Sequence, residues 1–269
     1  PYTLDAEDSD FKTPDTGDKT VDGYFKTANY LDQSVEEFFT FLKKSGLYDD
    51  SMIVLYGDHY GISNSSNEAL AKTFDQDSSH FKQFGDNPTK NWNSWDDAQL
   101  QRVPLMIHIP GMKDGGIQSQ YGGEIDVLPT ILHLLGISTK NYIQFGTDLL
   151  AKKHDQVVAF RNNDFVTPTY SSIGNKLYDS SGNEITGATA EFKKKVEKDR
   201  KAAKEQLAMS DSLNDKNLLR FYKNPDFKKI NSSDYNYSDG LNKALKLEDK
   251  LGLKSTSMFS KNQDKSLED

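Results

Sequence analysis

Ser51-Met52-Ile53-Val54-Leu55-Tyr56-Gly57-Asp58-His59-Tyr60-Gly61 is the stretch on which the fold turns. Ser51 to Tyr56 form a short apolar run, the pattern of a strand buried on both faces. The run ends in a polar loop bounded by Gly57 and Gly61. Ahead of it, Tyr24, Ala28, Leu31, Val35, Phe38 and Leu42 recur at helical spacing, and Gly46 suits the stop of that long amphipathic helix. Helix, short loop, buried strand and polar loop in this order are an α/β signature.

In open α/β sheets, ligands gather beyond the C-terminal ends of the strands. Asp58 and His59 occupy that position and offer one hard oxygen and one nitrogen donor. The pair suits zinc or manganese, provided the backbone turns so that both reach one ion. A helix-capping Asp58 beside a surface His59 accounts for the same two residues.

Outward from this core, residues 63–100 lack a long apolar period and contain Pro88, Trp92 and Trp95, which suggests an excursion over the surface. Pro104 to Ile109 is a second buried-strand candidate closed by Pro110-Gly111. Asp126 to Leu135 reads as a short helix with Leu128, Ile131, Leu132 and Leu135 inward and Gly136 as its stop. After Leu150 the texture changes. Val157 to Phe160, Phe165 to Ser172 and Lys176 to Tyr178 look like short strands joined by Gly174-Asn175 and Ser181-Gly182-Asn183 turns. Phe192, Val196, Ala203 and Leu207 line one face of a highly charged helix, expected to pack on that small antiparallel sheet. Residues 1–20 read as an irregular surface segment. From Lys223 onward, Lys, Asn, Asp and Ser dominate, so the tail is expected to be poorly ordered or docked as an extended arm.

The segments around Asp58-His59 occur in a recognisable series. A long helix and Leu-Tyr-Asp-Asp (47–50) precede the strand and Gly-Asp-His-Tyr-Gly (57–61). Arg-Val-Pro-Leu-Met-Ile-His-Ile-Pro-Gly (102–111) and Asp-Val-Leu-Pro-Thr-Ile-Leu-His-Leu-Leu-Gly (126–136) follow. The series resembles the C-terminal half of the sulfatase and alkaline phosphatase superfamily. Tyr60 directly after Asp-His, and agreement continuing through Arg161 and the charged helix, are similar to the extracellular domain of the lipoteichoic acid synthases. The resemblance runs from about Tyr24 to Tyr222, and the tail adds nothing to it.

The resemblance implies a sulfatase/alkaline phosphatase-like α/β sandwich segment (1–150), a small antiparallel sheet with a packed long helix (151–222) and a polar tail (223–269). It implies a phosphoglycerol transferase that moves glycerol phosphate from phosphatidylglycerol onto a growing polyglycerolphosphate chain through a covalent threonine intermediate. Asp58 and His59 would supply half of a manganese shell, magnesium being the other candidate, and His59 and Tyr60 would sit at the glycerol phosphate site. The family's glutamate, threonine nucleophile and further glycerol phosphate ligands all precede the matched segment. The N-terminal segment of the same enzyme is therefore an expected partner, and this chain alone is expected to be inactive. Thr3, Thr13 and Thr20 match nothing in the family motif. The implied location is the outer face of a Gram-positive cell membrane, or the medium after cleavage. A phosphodiester or sulfate ester hydrolase with the same metal logic, or a non-catalytic binding module, remains open.

Several residues are better read as structural. His108 and His133 lie in apolar segments and are expected to be hydrogen-bonded packing residues, whereas His154 follows two lysines and is expected on the surface. His80 is structural by default. Arg102 would pair with an acid sooner than meet an anionic substrate, and Trp92 and Trp95 would pack the excursion.

Composition bounds these readings. The chain of 269 residues carries 33 Lys and Arg against 41 Asp and Glu, a formal charge of -8 that argues against a phosphate-tracking nucleic-acid binder. It does not exclude an anionic substrate, since a bound cation can dominate the local field. No cysteine is present, which excludes thiolate zinc sites and disulfides and suits work outside a bacterial cell. Mean hydropathy is -0.74, and no run approaches the ~20 apolar residues of a spanning helix. The sequence begins at Pro1 with no signal-like segment after it, so any membrane anchor is expected outside these residues.

Overall fold

The computed structural model describes residues 4, 9–67, 69, 70, 73, 93–223, 225 and 231–252. His80, Pro88, Trp92 and Thr3 lie outside the described residues.

Helix α1 spans Lys19–Ser45. Asp18 caps it by accepting from the N–H groups of Thr20 at 2.7 Å and Val21 at 3.3 Å, and a hydrogen bond from Ser66 foremost, with these backbone bonds, holds the Asp18 carboxyl below its ordinary range. Gly46, at φ 75, ends the helix in the left-handed conformation that glycine adopts without strain. The first turns of α1 bury Val21 against Ile62 and Leu70.

The polypeptide then forms β1, Ile53–Tyr56, which pairs antiparallel with β2, Leu105–His108, in the register Ile53↔His108 to Tyr56↔Leu105. These two strands form a sheet by themselves. Neither is buried on both faces: β1 is half-buried with Tyr56 exposed, and β2 alternates half-buried Leu105 and Ile107 with exposed Met106 and His108. Among the described residues, one broad face of the two strands has no covering layer, so continuous apolar sequence here does not mean two-sided burial. Between them, the short helix α2, Ser94–Gln99, opens with a reciprocal capping box between Asn93 and Asp96. Helix α3, Val127–Leu134, buries Val127, Pro129 and Thr130. Leu128 and Leu135, expected inward, are exposed, because the face they share has no neighbour among the described residues.

Strands β3 (Val158–Ala159), β4 (Phe165–Val166), β5 (Tyr170–Ile173) and β6 (Lys176–Asp179) form an antiparallel meander in that order. Gly174 and Asn175, at φ 56 and 66, turn β5 into β6, the two positive values that a tight primed hairpin turn requires. Helix α4, Ala190–Asp215, starts on Thr189, whose side chain accepts from Phe192 N–H. It covers one sheet face, packing Val196 and Ala203 with Phe165, Tyr170, Leu177 and Phe192. Trp95 and Ala98 of α2 cover the other face against Ile173 and Tyr178. All four residues of β5 are buried, as a strand between two layers must be. Leu207 departs from the expected stripe and faces the trough described below.

The tail is not wholly irregular. Asn236 accepts from Ser238 and Asp239 N–H and starts helix α5, Tyr237–Leu251. Leu241 and Leu245 are half-buried and Glu248 is buried, a stripe at helical spacing that the polar composition masked. Among the described residues, no helix is long and apolar enough to cross a membrane.

Candidate metal and substrate site

The loop after β1 is aimed by two close approaches. Gly57 N–H donates to Pro104 O at 3.1 Å, and a Cβ on Gly57 would lie 2.8 Å from Val103 Cβ. A Cβ on Gly61 would fall 2.2 Å from the Tyr24 ring of α1. Only glycine lets Val103, just ahead of β2, and Tyr24 of α1 press on both ends of the loop, and the residues between them are exposed. Asp58, His59 and Tyr60 are all exposed there.

Asp58 and His59 lie together at the C-terminal end of the strand, with His59 Nε2 3.7 Å from Asp58 Oδ1. His59 Nδ1 is 2.8 Å from the Tyr60 carbonyl oxygen. A carbonyl only accepts, so Nδ1 donates to it, which leaves Nε2 as the ring nitrogen that faces the carboxylate. A backbone oxygen holding one imidazole nitrogen while the other is free is the usual outer support of a metal-binding histidine. The pair is accordingly a two-donor set fit for a divalent cation. Among the described residues, no group of three or more His, Cys, Asp or Glu gathers in metal-binding proximity.

Asp58, His59 and Tyr60 stand on the rim of an open trough of about 1800 Å³. Its floor and walls include Leu105 and Ile107 of β2, Val127 of α3 and Leu207 of α4. Arg102 also lines it and donates from Nε to the Gln99 carbonyl at 3.2 Å. Arg161, another lining residue, is bound to Asp211 at 2.6 Å.

The other histidines sort differently from expectation. His108 does hydrogen-bond, to Tyr48 Oη at 2.7 Å, and meets the Phe39 ring at 5.6 Å. His133 does not pack on the apolar face of α3; it is largely exposed and lies 2.6 Å from Asp148 Oδ2. His154, expected on the surface, has a fully buried side chain. Its Nε2 donates to Tyr121 O at 2.6 Å, and its Nδ1 accepts from Thr147 Oγ1 at 2.6 Å. The two preceding lysines concealed that role. Asp126 stands beside it and accepts from Gly123 N–H at 2.8 Å and Thr147 N–H at 2.6 Å. Together they pin the glycine-rich wall of the trough, which spacing of the histidines alone did not reveal. Gly122-Gly123 three to four residues before Asp126 was the available signal. Trp95 packs as expected.

The sulfatase family's sequence model matches residues 2–137, just over half of the chain. The lipoteichoic acid synthases of Staphylococcus aureus strains USA300 and NCTC 8325 / PS 47 are each 48% identical over 241 residues, covering 89% of this chain and 34% of theirs. The crystal structure of the lipoteichoic acid synthase LtaP from Listeria monocytogenes is similar with a TM-score of 0.58 and 28% identity, over 77% of this chain and 49% of that one. This chain thus spans about a third of the length of the curated relatives it matches. The family model matches just over half of the chain, and the 48% identity to curated relatives spans most of it, so the chain belongs to the sulfatase family.

Proposed function

We propose that this chain is the Asp-His-bearing part of a phosphoglycerol transferase, which moves glycerol phosphate from phosphatidylglycerol onto a polyglycerolphosphate chain. The observation that carries the reading is the His59 geometry, one ring nitrogen held by Tyr60 O and the other open beside Asp58. Similarity to relatives named lipoteichoic acid synthase supports the choice of substrate class.

In this reading, Asp58 and His59 hold a divalent cation, manganese or magnesium, together with ligands from the rest of the longer protein. When bound, such a cation neutralises phosphoryl oxygens and acidifies a hydroxyl nucleophile. Asp58 contributes a negative charge, His59 a neutral donor, and the Tyr60 carbonyl fixes the tautomer. His59 and Tyr60 also face the glycerol phosphate. The threonine that accepts it belongs to the longer protein, so the isolated chain is expected to show no turnover. Residues 1–150 form the part of the α/β unit that bears the site, residues 151–222 brace it, and residues 223–269 take no part in the chemistry. The place of work is the outer face of a Gram-positive membrane.

The test uses the longer protein in vesicles containing phosphatidylglycerol. Asp58→Ala and His59→Gln are each expected to lower polymer formation by at least about 100-fold, beyond the loss typical of a supporting residue, with the thermal midpoint unchanged because both side chains are exposed. Full activity of both variants refutes the reading. Free glycerol phosphate without polymer would identify a hydrolase instead.

A further inference from the structure

Beyond the trough, the end of α4 carries a second exposed surface. Asn217, at φ 46, breaks the helix, and a short 3-10 turn, Leu218–Phe221, follows. Tyr222 Oη donates to Asn141 O at 2.6 Å, which sets this turn beside the loop carrying Tyr142 and Ile143. Leu218, Leu219, Phe221, Tyr222, Tyr142 and Ile143 are exposed by 37% at the least and 67% at Phe221. None of them lines the trough. They are therefore not simply the rim of the concavity beside Asp58 and His59. Three aliphatic side chains and three aromatic rings gathered in the open mark an interaction surface.

Charge decides what the surface meets. Residues 216–223, Lys-Asn-Leu-Leu-Arg-Phe-Tyr-Lys, and 137–143, Ile-Ser-Thr-Lys-Asn-Tyr-Ile, contain four cations and no carboxylate. The whole chain has a formal charge of -8, so a purely basic pair of segments runs against its composition. Arg220 lies over the Phe221 ring at 4.5 Å, placing cation and aromatic face at one edge. Apolar rings with cations beside them match the two layers of a bilayer interface, where rings enter the headgroup boundary and long basic side chains reach the phosphates.

We propose that this surface docks the chain onto an anionic lipid bilayer. Leu219 and Phe221 enter the interface, while Lys140, Lys216, Arg220 and Lys223 meet the anionic headgroups. The contact is peripheral and reversible, and it does not depend on a cation at Asp58 and His59. It goes beyond the transferase reading, and either stands if the other fails.

The experiment sediments the 269-residue chain with vesicles of phosphatidylcholine alone or of an equal mixture with phosphatidylglycerol. Binding is expected to the mixed vesicles only, and to fall as salt rises. Arg220→Gln should weaken it by about fivefold, the effect of one basic residue near a charged membrane surface. Leu219→Asp with Phe221→Asp should abolish it at unchanged thermal midpoint, since both side chains are exposed. Lys194→Gln with Lys201→Gln, on the body of α4, should leave it intact. Absence of binding, equal binding to neutral vesicles, or undiminished binding by the double aspartate variant overturns the proposal. So does self-association of the chain that the double variant removes, which would make the surface a contact between copies.

Discussion

The four-stranded meander with α4 and the β1–β2 unit with α1 come from similarly apolar stretches, yet only the first closes. In the meander, Phe165 and Tyr170 are 0% and 1% exposed, and α4 and α2 cover opposite faces. In the other region, Leu31 of α1 is 57% exposed, Met106 of β2 52% and Leu128 of α3 52%. A four-stranded sheet with a helix on each face satisfies its own burial; a two-stranded sheet does not. The open region also carries the trough and the Asp58-His59 rim. On the transferase reading proposed above, further parts of a longer protein would cover these stripes.

The largest test of that contrast compares Phe165→Ala with Leu31→Ala in this chain. The first should cost about 3–5 kcal/mol, because it leaves a cavity in a closed core. The second should cost less than about 0.5 kcal/mol, as for an ordinary surface change. Urea unfolding followed by circular dichroism reads both, and equal costs would erase the distinction. Repeating Leu31→Ala in the longer protein sharpens it, since a covered Leu31 should then cost about 2 kcal/mol or more.

A smaller effect is expected inside the closed region. The Tyr170 hydroxyl donates to Asp199 Oδ2 at 2.6 Å, and burial together with that carboxylate pushes its ionisation upward, so it remains a donor throughout the neutral range. Tyr170→Phe should cost about 1 kcal/mol, the net worth of one hydrogen bond. No loss in urea unfolding would mean that water replaces the bond and that the sheet–helix seam is looser than its packing implies.

Where α2 joins the two regions, a pH effect smaller still is expected. Burial raises the Asp96 carboxyl above its ordinary range, and its bond from Asn93 N–H only partly offsets this. The folded chain therefore retains that proton to higher pH than the unfolded chain does. Stability attributable to Asp96 falls as pH rises from the ordinary carboxylate range through the raised folded value, then stays level. Asp96→Asn keeps an oxygen acceptor for the cap and should flatten that part of the profile. Thermal midpoints from acidic to neutral pH check it, and an unaltered slope refutes it.

The least effect is expected on the outer face of α4. Lys201 and Glu205 are an exposed i,i+4 pair at 3.7 Å, and such pairs contribute little. Lys194→Gln with Lys201→Gln should shift stability by less than about 0.5 kcal/mol. It should also leave polymer synthesis by the longer protein nearly unchanged. A large loss of synthesis at intact stability would show that the closed region handles substrate and does more than brace.

Local chemistry alone settled a good part of this molecule. The α1 helix with Gly46 behind it, the Gly174-Asn175 hairpin, the Phe192-Val196-Ala203 face and the position of Asp58-His59 after a strand all follow from residues a few positions apart, whereas most of the apolar stripe expected on α1 is exposed. Helical period, positive-φ turns and strand-end loops are properties of such short windows. What lay beyond the sequence was which apolar faces find a neighbour. Leu128 and Leu135 look as inward as Val196 in a periodicity, but burial depends on an element far away in the chain. His154 looked solvated between charged neighbours, and only the approach of Tyr121 and Thr147 encloses it. The tautomer of His59 was likewise decided in three dimensions, because it depends on where the turning backbone carries the Tyr60 carbonyl.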